Sequence, residues 1–246
     1  MDRTDPGRAP RSPPRPAWHR WLTVAALTAS VAVAAQLTRP RGVDRPEPLP
    51  LLEAVDGPGP DAASAAVVYL HGLGRTLRQG EDLARRLRAA GLPSSVAVIS
   101  LEGPYSARRG QHWGGTAEAQ ARSRTRIREA LRPWLERSPP LPVTLVGFSQ
   151  GAGVAADLAV EEPRITALAA FAPCFMWLRG ELPGRKGLRV LLAHGARDER
   201  CPPSESRTLA PVLERAGVPV RYLEFDGGHV VPDEVVAALV ALATGR

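Results

Sequence analysis

From residue 62 onward the chain alternates two kinds of apolar pattern. Short continuous apolar runs, bounded by Gly, Pro and polar clusters, occur at Ala65–Leu70, Val96–Leu101, Val143–Gly147, Ile165–Ala172, Val190–His194 and Val220–Phe225. Runs of this length without polar alternation predict strands buried on both faces. Between them lie segments with helical spacing. Leu83, Leu87 and Ala90 recur at intervals of three or four, as do Ile127, Leu131, Trp134 and Leu135. The pattern predicts helices over Gly80–Ala90, Thr116–Arg137, Gln150–Val160, Pro203–Ala216 and Asp233–Thr244. A βαβα order of this kind implies an α/β domain, with a mostly parallel sheet covered by helices on both faces. In such a sheet ligands bind beyond the carboxyl ends of the strands. The short stretch between Cys174 and Lys186 leaves no room for a large lid domain, so an open cleft is expected.

The N-terminal part reads differently. Residues 1–17 hold five prolines and four arginines, a composition of a disordered basic tail. Trp21–Leu37 then runs 17 residues without a charge, and Trp18 and Trp21 stand at its start, where interfacial tryptophans are common. Residues 18–37 are read either as a transmembrane signal anchor or as a signal peptide cleaved after Ala32-Val33-Ala34. The remaining readings are a cytosolic protein with a mis-called start, or an apolar helix that packs elsewhere. Residues 38–61, rich in Pro and Gly, are expected to be a linker to a catalytic domain over 62–246.

Charge follows the same division. Of the net charge of +7, residues 1–45 carry +5, leaving +2 on the other 201 residues. The basic balance therefore points to membrane topology through residues 18–37, and the folded part has no basic stripe interleaved with aromatics of the kind nucleic acid requires. The expected setting is a bacterial membrane-anchored protein with an extracytoplasmic catalytic domain, or an exported one. The two cysteines, Cys174 and Cys201, each follow a predicted strand of the sheet. Neighbouring parallel strands would bring them to the rim of the cleft as a disulfide; two independent thiols are the alternative.

The candidate chemistry falls at the strand ends. Gly147-Phe148-Ser149-Gln150-Gly151 lies between a predicted strand and a predicted helix, the context of a nucleophile elbow. A serine hydroxyl needs a base to remove its proton and a third group to orient that base. His229, after the last strand, is the candidate base, and Asp198, after the penultimate strand, is the candidate acid. Asp226 competes for the acid role, with Glu199 and Asp157 behind it. His71-Gly72-Leu73-Gly74 follows the first predicted strand. The backbone N–H groups of Leu73 and Gln150 are the candidate oxyanion donors, and His71 is read as structural. Neither a P-loop, a dinucleotide fingerprint nor a metal-ligand cluster is present in the sequence, so no cofactor and no metal are expected.

These motifs, with Gly80-Glu81-Asp82 before Leu83 and Leu87, His194-Gly195 before Asp198, Gly228-His229, Gly103-Pro104 and Trp113, resemble the phospholipase/carboxylesterase family of α/β-hydrolases, which includes the acyl-protein thioesterases. The resemblance covers residues 62–246, and Phe-Ser-Gln inside the elbow is typical of that family. It implies an α/β-hydrolase fold and a cofactor-free serine hydrolase acting on short to medium acyl esters, thioesters or lysophospholipids, small-molecule or lipid, in which Trp113 lines the cleft. Two departures are the apolar N-terminal segment and the apolar run Phe175–Leu178, whose Trp177 is a second candidate for the substrate surface. Alternatives on the same residues are a small-peptide hydrolase, an acyltransferase, or a non-catalytic membrane-anchored binding protein.

Overall fold

The computed structural model describes residues 51–174 and 184–245. The tail over 1–17, the segment 18–37, most of the expected linker, and Phe175, Met176, Trp177 and Leu178 lie outside the described residues. Among the described residues, no helix is long and apolar enough to cross a membrane.

In chain order the elements are β1 (Leu52–Asp56), β2 (Ala65–Leu70), α1 (Leu77–Ala89), β3 (Val96–Glu102), β4 (Tyr105–Ser106), β5 (Gln111–His112), α2 (Ala117–Ala130), α3 (Arg132–Leu135), β6 (Val143–Phe148), α4 (Gln150–Glu161), β7 (Ile165–Phe171), β8 (Arg189–Gly195), α5 (Ser204–Arg215), β9 (Val220–Phe225) and α6 (Asp233–Ala243). Seven strands form one sheet in the order β1-β3-β2-β6-β7-β8-β9, while β4 and β5 make a separate small hairpin. Every pairing in the large sheet is parallel except β1 with β3. This is the doubly covered α/β sheet that the apolar pattern predicts.

Alternation along β2 shows why the strands must be apolar throughout. Ala66, Val68 and Leu70 face one core, with Ile127 of α2, Trp134 and Leu135 of α3, Leu158 of α4 and Leu213 of α5. Ala65, Val67 and Tyr69 face the other, with Leu83 and Leu87 of α1 and Val235, Val236 and Leu239 of α6. Each side chain is removed from water, worth roughly 25 cal/mol per Å² of apolar surface.

The structure differs from the sequence expectation at three places. Leu52–Asp56, placed in the linker by its composition, is an edge strand with Val55 opposite Ile99. The folded domain therefore begins before residue 62. The segment after β3 folds into the β4–β5 hairpin, whose strands are too short to leave a pattern. The single helix expected over 116–137 breaks at Leu131, which ends α2 and precedes α3. Pro133 has no N–H to continue the ladder, so the chain restarts there as one short turn. At the far edge, β9 carries Arg221, Tyr222 and Glu224. Arg207 of α5 grips both Glu224 oxygens at 2.7 Å, and the Tyr222 hydroxyl donates to the same carboxylate at 2.6 Å.

Candidate active site

Ser149 stands between β6 and α4 with φ 55° and ψ −116°, a backbone region that non-glycine residues rarely occupy. The turn is held by its neighbours. The Ser149 N–H donates to Phe171 O of β7 at 2.9 Å, and Ala152 N–H donates back to Ser149 O at 3.1 Å. The flanking glycines are fixed by close approach: a β-carbon at Gly147 would sit 2.4 Å from Ala152 Cα, and one at Gly151 would sit 2.2 Å from Leu70 O. The first helix turn of α4 starts at Gln150, so the Gln150 N–H has no carbonyl within the helix to bind.

The His71–Gly74 loop lies against the elbow, since a β-carbon at Gly72 would be 3.3 Å from Ser149 Cβ. Leu73 is exposed, and among the described residues its N–H has no hydrogen-bond acceptor. His71 is buried and braces the loop from below. Its Nε2 accepts from Gly103 N–H at 2.9 Å, so the ring proton is on Nδ1, which donates to Gly72 O at 2.8 Å. Burial lowers its pKa to about 4 and keeps the ring neutral. On the other side, Gly74 N–H donates to Gln111 O and Gln111 N–H to Arg75 O, both at 2.8 Å, tying the loop to the β4–β5 hairpin.

Trp113 is placed otherwise than expected. It is fully buried and its indole Nε1–H donates to His71 O at 2.8 Å. An indole without exposed surface presents no face to a ligand, so Trp113 supports the loop from within and does not line the cleft. The Gln150 side chain completes this bracing: its Oε1 accepts from Trp113 N–H at 3.1 Å and its Nε2–H donates to Gly114 O at 3.0 Å. Trp177 lies outside the described residues.

Asp198 and His229 come from adjacent loops at the ends of β8 and β9. Those loops are bonded to each other, Ala196 N–H to Phe225 O and Arg197 N–H to Gly227 O, each at 2.8 Å. Asp198 Oδ2 accepts from His229 Nδ1–H at 2.7 Å, with the carboxylate buried and the imidazole 10% exposed. Asp198 Oδ1 accepts from the N–H groups of Arg200 and Cys201 at 2.9 and 3.0 Å. Burial raises the Asp198 pKa, but the Cys201 N–H, His229 and the Arg200 N–H outweigh it, and the net shift is downward. The bond to Asp198 leaves His229 Nε2 as the ring's acceptor, and the Phe148 ring packs against the imidazole with centroids 4.7 Å apart. Asp226, the competing acid, is exposed and paired with Arg197 at the surface.

Cys174 and Cys201 form a disulfide with Cα atoms 5.1 Å apart. The Ser149 Oγ contacts Cys174 Sγ at 3.8 Å, and among the described residues it makes no hydrogen bond to His229. Ligand atoms of Asp198, Cys201 and His229 lie within 4.8 Å of one another, but a disulfide sulfur is not the thiolate that binds metal. One residue assigned no site role from the sequence joins this group. His194, which ends a predicted strand and belongs to the His194-Gly195 motif, is buried beside Asp198, with Nε2 3.4 Å from Oδ2. Its place four residues before the acid was the available signal.

A family model described as Serine hydrolase (FSH1) matches residues 130–237, the stretch that contains Ser149, Asp198 and His229. The match spans under half of the chain, so that stretch is similar to this family, and the sheet and its helices have the fold of the solved esterases that follow. Among solved structures it is similar to esterase PE8, with 22% identity, a TM-score of 0.68 and coverage of 80% of this chain and 99% of the other. It is also similar to the Bacillus cereus carboxylesterase, with 21% identity, TM-score 0.64 and coverage of 79% and 94%. A third is Zea mays acyl-protein thioesterase 2, with 16% identity, TM-score 0.63 and coverage of 79% and 98%. No curated protein matches the chain by sequence.

Proposed function

We propose that the protein is a serine hydrolase that cleaves carboxylic esters through Ser149, His229 and Asp198. The observation that carries the reading is the 2.7 Å bond from His229 Nδ1–H to the buried Asp198 carboxylate, beside a serine in a strained elbow. In this mechanism Ser149 Oγ leaves the sulfur of Cys174 and donates to His229 Nε2. As it attacks the ester carbonyl, His229 takes its proton and Asp198 stabilises the imidazolium. The N–H groups of Leu73 and Gln150 bind the oxyanion. His229 then protonates the leaving alcohol, and water activated by the same imidazole releases the acid from the acyl-enzyme.

The substrates proposed are short to medium acyl esters, thioesters or lysophospholipids. The motif resemblance supports this class, as do the Bacillus cereus carboxylesterase and Zea mays acyl-protein thioesterase 2 among proteins of the same fold. An extracytoplasmic setting, anchored or released through residues 18–37, is supported by the Cys174–Cys201 disulfide, because disulfides persist in oxidising compartments. In fractionated cells the protein is expected in the membrane or exported fraction; a wholly cytosolic protein would refute that setting.

Ser149→Ala is expected to reduce turnover of p-nitrophenyl butyrate by about 10³-fold or more, with unchanged circular dichroism, and to abolish labelling by a fluorophosphonate. Retained turnover in that variant overturns the mechanism.

A further inference from the structure

The disulfide joins the loops after β7 and β8, and its two halves touch different members of the site. Cys174 Sγ lies 3.8 Å from Ser149 Oγ. Cys201 is buried, and its backbone N–H donates to Asp198 Oδ1 at 3.0 Å. Its carbonyl accepts from His194 Nε2 at 2.9 Å. A carbonyl only accepts, so Nε2 carries the ring proton and Nδ1 accepts from the Ser206 hydroxyl at 2.8 Å. Burial holds this ring in its neutral form. Cys201 is thus fixed through its N–H, its carbonyl and its sulfur, by Asp198, His194 and Cys174 in turn.

We propose that the Cys174–Cys201 cystine is a positioning element of the catalytic machinery: by fixing Cys201 it sets the direction in which Asp198 presents Oδ2 to His229. The inference rests on the reading of Ser149, Asp198 and His229 as a triad. An unclamped loop would keep its bonds to Phe225 and Gly227 at Ala196 and Arg197, so the fold survives while the carboxylate loses one of its restraints. The reaction is then sensitive to dithiols. The cystine takes two electrons and two protons to become two thiols, and dithiothreitol is oxidised to its cyclic disulfide.

The test compares the oxidised protein, the same protein reduced by dithiothreitol, and Cys174→Ala/Cys201→Ala. In each, kcat and KM for p-nitrophenyl butyrate are measured, together with the low-field proton resonance of His229 Nδ1–H. The clamp predicts that kcat falls about ten- to a hundred-fold in the reduced and double-variant proteins. It also predicts that KM stays within about two-fold and that the resonance broadens or disappears. Reoxidation restores only the wild type. An unchanged kcat and resonance in protein that titrates two thiols overturns the proposal. So does loss of far-UV circular dichroism on reduction, which would assign the cystine to the fold and not to the carboxylate. Turnover retained by Ser149→Ala would remove the triad reading instead, and the resonance would still report on the clamp.

Discussion

Gly151 faces the carbonyl of Leu70 so closely that a β-carbon would lie 2.2 Å from the oxygen. The contact crosses from the start of α4 to the end of β2, and neither backbone has a flexible side chain to yield. Gly151→Ala is therefore expected to destabilise the domain by about 3 kcal/mol, through backbone displacement at the elbow. The urea midpoint of the purified variant measures this, and a midpoint equal to wild type would show that α4 shifts without cost.

Protonation of His71 is expected to weaken the fold in acid. Nε2 accepts from Gly103 N–H, a bond that a second ring proton destroys. The folded pKa of about 4 lies below the ordinary value of 6.5, so between these pH values the unfolded chain binds the additional proton. The stabilisation is complete above about pH 6.5, declines as pH falls, and is gone below about pH 4, with a total on the order of 3 kcal/mol. His71→Gln removes this titration. The difference between the urea midpoints of wild type and variant should shrink from pH 7 to pH 4; a constant difference rejects the assignment.

Asp198→Asn keeps an oxygen for the Arg200 and Cys201 N–H groups but turns an amide toward His229 Nδ1. The imidazole must then carry its proton on Nε2, where it cannot act as base towards Ser149. A loss in kcat of about 10⁴-fold is expected, with stability near wild type. A loss of less than about ten-fold would remove Asp198 from the acid role.

Trp113→Phe leaves the His71 carbonyl without its donor in a site closed to water. The expected cost is about 1–3 kcal/mol of stability, with the acyl-length profile unchanged. An altered profile at full stability would return Trp113 to the cleft wall.

The strands that carry these groups were legible because both of their faces are buried. Ala65–Leu70 and Val220–Phe225 have the bounds their composition predicts; three other runs differ by one residue at one end, and Val190–His194 is longer by one residue at each end. β1 was hidden for the opposite reason. On an edge, with Glu53, Val55 and Asp56 exposed, it has no apolar pattern to distinguish it from the Pro- and Gly-rich sequence around it. The placement of Ser149, Asp198 and His229 at strand ends could be read from order and spacing. The support beneath it could not, since the same loop sequence allows Trp113 to point outward or inward, and only the packing of His71 above it decides. Likewise, adjacent strands allow Cys174 to pair with Cys201 without requiring it, and the direction of the Cys201 N–H depends on the turn that Asp198 itself caps.

The Arg207, Glu224 and Tyr222 group gives the last strand a further consequence. β9 ends the sheet, and an open edge is a template on which a second chain can add a strand. Here the edge carries Arg221 and Glu224 with Arg207 folded across from α5, so a neighbouring strand would have to displace or bury these charges. The side of the sheet nearest His229 is thereby guarded against fibre-like growth, and crowded molecules of this protein are kept from joining edge to edge.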